Sequence, residues 1–194
     1  MTSSKKKKKA ILLSVSAAVA LLAVVLDRIT KSLAVKYLYD IDTYPVIEDV
    51  FHFTYVENTG AAFGILKDSR WFFMTVSVIA IVIIAAWLVK YGSEDAFLSI
   101  CLSMVLGGGV GNMIDRVLYG YVVDFIDVRL INFAVFNIAD SFVTVGAFLM
   151  IIYLLRDLIL QSRNKKNAPN AGGGSENGGN DGNDGGEVGE HGGE

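Results

Sequence analysis

Long apolar runs alternate with two dense polar stretches along this chain. Ala10–Leu26, Trp71–Val89, Phe97–Ile114 and Asn137–Leu155 each read as a membrane-spanning helix. A hydrocarbon core about 30 Å thick is crossed by about 20 apolar residues in a helix rising ~1.5 Å per residue. The first run continues through Asp27-Arg28-Ile29-Thr30-Lys31 without Pro or Gly, so its helix is predicted to approach Tyr39. Asp27 and Lys31 stand four residues apart there, share a helix face and can pair. In the second run Trp71, Phe72, Phe73 and Trp87 sit near the ends, as an interfacial belt does. The third carries Gly107, Gly108, Gly109 and Gly111, and small residues at that spacing let helices approach closely.

The polar stretches carry a different pattern. Within Asp40–Arg70, Phe51-His52-Phe53-Thr54-Tyr55-Val56 alternates as a strand does, and Asn58-Thr59-Gly60 signals a turn. In the second stretch, Asp115–Phe136, the segment Tyr121–Val128 is suited to extended structure. The predicted fold class is therefore an all-α membrane protein: four transmembrane helices with a small extracytoplasmic β platform.

Composition fits that class, with 53% hydrophobic residues and a mean hydropathy of +0.47. The net charge of −3 conceals two opposite ends. Lys5–Lys9 make the N-terminus basic, whereas Asn167–Glu194 is Gly-rich and acidic with no Lys or Arg, a composition that predicts disorder. Three regions follow: a basic cytoplasmic N-terminus at 1–9, the four-span domain at 10–156, and a basic then acidic Gly/Asn-rich cytoplasmic tail at 157–194. Four spans put both termini on one side. That side holds ten Lys and Arg against seven on the other, so the termini are predicted cytoplasmic and both polar stretches face outward. Ala18-Val19-Ala20 has the form of a signal cleavage site, but it lies in mid-run and the helical pattern continues past it. The lysine cluster is read as a topology signal meeting anionic lipid, with no nucleic-acid partner expected. Cys101 is read as a buried small hydrophobe.

The chemistry is narrowed by what the chain contains. His52 and His191 are too far apart to suggest a metal cluster, and no phosphate-binding glycine loop is present. A Ser32/Lys31 dyad is disfavoured because adjacent side chains diverge on a helix. Carboxylates remain. A charge in mid-bilayer costs roughly 2.5–3.5 kcal/mol on insertion scales, so acids beside spans usually face protein or a wet cavity. Two Asp groups ~4 Å apart repel by about 4 kcal/mol at a dielectric of 20. They do not both ionise readily near neutral pH and instead share a proton. The ionised one can activate water and the protonated one can donate to a scissile carbonyl, with no metal or cofactor required. Asp124 and Asp140 are the chosen pair. Asp124 sits among Val122, Val123, Phe125 and Ile126, where its pKa should rise. Asp140 opens the fourth span, where it serves equally well as a helix-terminal acid. Asp115-Arg116 reads as a structural ion pair or a substrate clamp, and Asp127 as a partner of Arg129. Asn112 and Asn137 can position backbone or accept substrate, and capping is an equally good reading, since Asn137 precedes its span as an N-cap does.

Five blocks together resemble bacterial lipoprotein signal peptidases, the signal peptidase II family. They are Asp27-x-x-Thr30-Lys31, Asn58-Thr59-Gly60-Ala61-Ala62-Phe63-Gly64, Gly111-Asn112-x-x-Asp115-Arg116, Gly120-x-Val122-x-Asp124-Phe125 and Phe136-Asn137-x-Ala139-Asp140. The resemblance covers about Ala10–Arg156. It implies a membrane aspartic endopeptidase that cuts diacylglyceryl-modified prolipoproteins just before the lipidated cysteine, at the outer face of the bacterial cytoplasmic membrane. It maps the catalytic pair onto Asp124 and Asp140. Asn58, Gly60, Asn112, Arg116, Asn137 and Ala139 fall around substrate and dyad, and Asp27, Lys31 and Asp115 take structural roles. The expected partners are prolipoprotein substrate and membrane lipid, with the protein acting as a monomer. The rival readings are a non-enzymatic four-span transporter, which predicts acids distributed through the depth of the spans, and a membrane assembly protein, which would not need paired acids.

Overall fold

Each apolar run seeds a helix, and each helix extends past its run. A computed structural model describes residues 3–60, 70–92 and 94–167. Helix α1 covers Ser3–Leu38, α2 Arg70–Tyr91, α3 Ala96–Leu118 and α4 Ile138–Asn167. Four segments within them are long and apolar enough to cross a membrane: Lys6–Leu38, Trp71–Tyr91, Ala96–Leu118 and Ile138–Asn164. Leu21, Ile83 and Phe148 are each more than half exposed on these helices, as side chains facing lipid are. With 36 residues, α1 is ~54 Å long and outreaches a hydrocarbon core of about 30 Å.

Two boundaries differ from the sequence reading. Helix α3 does not stop at Ile114 but carries Asp115 and Arg116 in its last turns, because nothing breaks the helix before Gly120. Helix α4 does not end near Arg156 but runs to Asn167, since no Gly or Pro interrupts it between Gly146 and Pro169. The segment from residue 157 thus begins as helix. The acidic tail from residue 168, and the Ala61–Gly64 part of the second sequence block, lie outside the described residues. The chain divides into two units, Met1–Leu158 and Ile159–Glu194; the described part of the second is the helical end at 159–167.

Within the first unit α3 is central, and its glycines explain why. A Cβ at Gly107 would stand 2.5 Å from the Ala20 carbonyl of α1, and one at Gly108 would collide with the Ala139 carbonyl of α4. Both contacts require a missing side chain, so α1 and α4 lie backbone-close on α3. Gly146 of α4 makes the matching approach to the Cys101 carbonyl. Cys101 itself is buried and free.

Strands β1 (Thr43–Ile47), β2 (Phe51–Asn58) and β3 (Val122–Val128) form one antiparallel sheet in the order β1-β2-β3. The β2–β3 register pairs Val56 with Asp124 and His52 with Asp127, with an irregularity between Phe53 and Val56. Ala34 and Leu38 of α1 form a core with Val123 and Phe125 of β3, and Phe53, Tyr55 and Tyr121 pack against it. The last turns of α1 therefore carry the sheet, and with it Asp124.

Candidate active site

The first turn of α4 is built by two side chains that cap each other. Asn137 precedes the helix, and its Oδ1 accepts the Asp140 N–H at 2.9 Å. In return, Asp140 Oδ2 accepts the Asn137 N–H at 3.1 Å. This reciprocal box satisfies donors that a helix start leaves free. Asp140 is a helix-terminal acid, as its position suggests. Its other oxygen is turned elsewhere: Oδ1 accepts from Asn112 Nδ2 at 2.7 Å.

Amide donors bring Asp124 to the same place. Asn137 Nδ2 donates to Asp124 Oδ1 at 2.6 Å, and Asn58 Nδ2 donates to Asp124 Oδ2 at 2.9 Å. The Gly60 N–H donates to Asn58 Oδ1 at 2.9 Å, which turns the Asn58 amino group towards Asp124. Asn137 Nδ2 also lies 3.1 Å from Asn112 Oδ1, so one amide network touches both carboxylates. Asp124 is 2% exposed. Burial, and then the negative charge of Asp140, push its pKa from the usual carboxylate range up to about 7, against the lowering effect of the two asparagine hydrogen bonds and of Lys31. Among the described residues neither Asp124 nor Asp140 forms an ion pair.

Both acids line one cavity of about 560 Å³. Asn58, Gly60, Asn112 and Arg116 share its wall with the apolar side chains of Phe73, Val122, Phe133, Val135, Phe136 and Val145. An apolar chamber with a few convergent polar groups is the usual form of a binding site. Arg116 lies with its guanidinium 5.5 Å from the centre of the Phe73 ring, and its charge faces Asp140 and Asp124.

Behind the cavity Asp27, Arg28, Lys31 and Asp115 pair among themselves. Lys31 Nζ lies 3.0 Å from Asp27 Oδ2 and 2.9 Å from Asp115 Oδ2. Arg28 Nη2 lies 2.5 Å from Asp115 Oδ1. The expected Asp115–Arg116 ion pair is therefore corrected. Adjacent residues point about 100° apart on a helix, so Asp115 turns to α1 while Arg116 turns to the cavity. Ala139 is fully buried and presents its N–H to Asp27 Oδ1 at 3.2 Å. His52 is also buried, but its Nδ1 faces Thr43 Oγ1 in the sheet at 3.3 Å. Among the described residues no group of His, Cys, Asp or Glu is placed to hold a metal ion.

Two contributors escaped the sequence reading. Phe73 looks like one more interfacial aromatic, and only the fold shows it beneath Arg116. Arg28 adjoins Asp27 in sequence, yet its shorter contact is with Asp115, 87 residues away. Its position one residue along α1 from Asp27 was the available signal.

Comparison with known proteins gives a consistent picture. The family model described as signal peptidase (SPase) II matches residues 19–156, well over half of the chain. A lipoprotein signal peptidase of Caldanaerobacter subterraneus subsp. tengcongensis is 50% identical over 127 residues, covering 66% of this chain and 86% of that protein. One from Brevibacillus brevis is 43% identical over 139 residues, covering 72% of this chain and 93% of the relative. A solved bacterial membrane enzyme is similar with a TM-score of 0.67 and 36% identity, over 75% of this chain and 90% of its own.

Proposed function

This chain belongs to the signal peptidase II family, and from that premise we propose that it is an aspartic endopeptidase removing the signal peptide from diacylglyceryl-modified prolipoproteins. The observation that carries the catalytic assignment is the placement of Asp124 and Asp140 on one cavity wall, both held by amides, with Asp124 pushed up to about 7. Asp124 is thereby suited to hold a proton near neutral pH beside the negative charge of Asp140.

In the proposed reaction Asp124 carries the proton and Asp140 is ionised. Asp140 takes a proton from water as the oxygen attacks the scissile carbonyl carbon, and Asp124 gives its proton to the carbonyl oxygen. The tetrahedral intermediate then collapses. The C–N bond breaks as Asp140 passes the proton it took from water to the leaving nitrogen, and Asp124 takes a proton back from a hydroxyl of the intermediate, so the carboxyl group stays on the signal peptide and the pair returns to its starting state. Two carboxylates and one water suffice, so neither metal nor cofactor is assigned. Asn58, Asn112 and Asn137 hold the acids, Gly60 orients Asn58, and Arg116 offers a cation to the peptide backbone at the cavity wall.

The apolar part of the wall suits a lipidated, membrane-held substrate. We assign the peptidase domain to residues 10–156 and place both termini in the cytoplasm, which the lysine run Lys5–Lys9 favours. The site then opens towards the outer face of the cytoplasmic membrane, and the protein acts as a monomer among its lipids.

The test is cleavage of a diacylglyceryl-modified prolipoprotein in detergent with EDTA present. The parent should cleave, and folded Asp124→Asn and Asp140→Asn should not. Activity kept by either variant would move the role to another acid, and cleavage abolished by EDTA would remove the metal-free mechanism.

A further inference from the structure

The four charges behind the cavity are connected to the catalytic pair at three points. Asp27 Oδ1 accepts the N–H of Ala139, the residue immediately before Asp140, at 3.2 Å. Asp115 Oδ2 accepts the N–H of Val123, the residue immediately before Asp124, at 3.2 Å. Lys31 bridges the other side of these two acids, at 3.0 and 2.9 Å. Its third donor goes to Asn112 Oδ1 at 2.8 Å, and the amino group of the same amide holds Asp140 at 2.7 Å.

We infer that Lys31, acting through Asp27, Asp115 and Asn112, is the positioning residue that sets the separation and orientation of Asp124 and Asp140. The inference rests on the peptidase reading above and deepens it. An ammonium has three donors, and here all three are engaged, so the group has no free rotation left. The side chain is 3% exposed, and water does not compete for these bonds. A cation at Asn112 Oδ1 also fixes the amide, because a flipped Asn112 would aim its amino group at the ammonium. Only the observed orientation lets Asn112 donate to Asp140 Oδ1. Asp27 and Asp115 then act as the two arms of a caliper, one gripping the backbone before each catalytic acid. Arg28 balances the second acid and leaves the cluster neutral overall.

A bridge that served folding alone would leave each folded molecule with unchanged kinetics. A positioning bridge changes the chemical step, since reacting groups displaced by about 1 Å lose roughly 100-fold in rate. It also changes the pH profile. Asp124 faces Asp140 from α4, Arg116 from α3, Asn58 from β2 and Lys31 from α1. The Lys31 charge favours ionised Asp124, so its removal should carry the basic limb of the profile to higher pH.

The experiment compares the parent, Asp124→Asn, Lys31→Gln and the charge-balanced pair Asp27→Asn with Lys31→Met. All are assayed in detergent on a synthetic diacylglyceryl prolipopeptide, after thermal unfolding has established the folded fraction. Folded Lys31→Gln should lose kcat by about 100-fold with KM within about threefold, and its basic limb should move up. The charge-balanced variant should lose kcat as well, because the Asn112 contact is still missing, and it decides the matter if Lys31→Gln does not fold. A kcat within about threefold of the parent, or a loss confined to KM with an unmoved profile, overturns the inference. Failure of both variants to fold assigns the bridge to stability alone and overturns it too. An inactive parent removes the peptidase reading and this inference together. An active parent with inactive Asp124→Asn and unimpaired Lys31→Gln removes the inference only.

Discussion

Asp27 and Asp115 are met by cations, whereas Asp124 and Asp140 are met by amides. The first two lie within 3.0 Å of the Lys31 ammonium, and Asp115 has Arg28 as well. The second two receive hydrogen bonds from Asn58, Asn112 and Asn137. Asp27, Asp115 and Asp124 are all 2% exposed or less, so burial alone does not separate the two groups. What separates them is the charge of the donor. A buried carboxylate beside a cation is held as an ion pair, and removing one partner leaves the other uncompensated. An amide supplies a hydrogen bond without cancelling the charge, and two carboxylates held only by amides still repel. The first arrangement suits architecture and the second suits proton transfer.

The largest effect that sharpens this contrast is catalytic. Asp124→Asn and Asp140→Asn should each lower kcat/KM by about 10³-fold or more while leaving a folded protein, because each removes a proton-transferring group and keeps the shape. Next comes Asp115→Asn. It should destabilise the protein by about 3 kcal/mol in thermal or chemical unfolding in detergent, the scale for breaking a buried ion pair. If Asp115→Asn were neutral for stability and Asp124→Asn strongly destabilising, the division between cation-held and amide-held acids would be broken.

A third outcome concerns pH. Asp124 has a folded pKa of about 7 against an ordinary value of 3.8. The folded state therefore binds more protons than the unfolded state between these values, and this group lowers stability as pH rises through that window. Asp124→Asn removes the effect. The unfolding temperature of the variant relative to the parent should thus climb between about pH 4 and pH 7 and stay level above. A flat difference would mean that Asp124 is not held in the protonated form.

The helices and the sheet are legible in the sequence because both obey local rules. Uninterrupted apolar runs give α2 and the body of α3, and alternation gives β2. Helix ends are less legible. Asp115 and Arg116 look like the start of a polar loop, yet buried partners on α1 make a charged last turn of α3 acceptable. The site divides in the same way. Asn137 can be assigned as a cap from its place before an apolar run, a relation within four residues. That its amino group also holds Asp124 depends on β3 meeting the start of α4, which no local pattern encodes. Lys31 shows both halves at once. Its pairing with Asp27 follows from i,i+4 spacing, whereas its contact with Asn112 spans 81 residues and needs the close α1–α3 approach that Gly107 permits.

The smallest effect is expected at Asp127, three residues from Asp124 on the same strand. An odd spacing puts the two side chains on opposite faces of the sheet. Asp127 accepts from Thr54 Oγ1 at 2.7 Å and from Arg129 Nε at 3.0 Å, and Arg129 is 40% exposed. Burial works to raise its pKa, but these hydrogen bonds and the Arg129 charge outweigh it and hold the carboxyl below the ordinary range. The sign is therefore opposite to that of Asp124. Asp127 adds stability above an ordinary carboxylate pKa, and the contribution disappears as pH falls through its lower folded value. Because the pair is partly solvated, Asp127→Asn should cost less than about 1 kcal/mol at neutral pH, vanish as a difference in acid, and leave cleavage unchanged. Measured side by side, the two variants of β3 should give unfolding differences that depend on pH with opposite consequences: relief from a buried charge at Asp124, loss of a favourable one at Asp127. Equal slopes would show that the strand environment, rather than the partner on each face, determines what an aspartate does here.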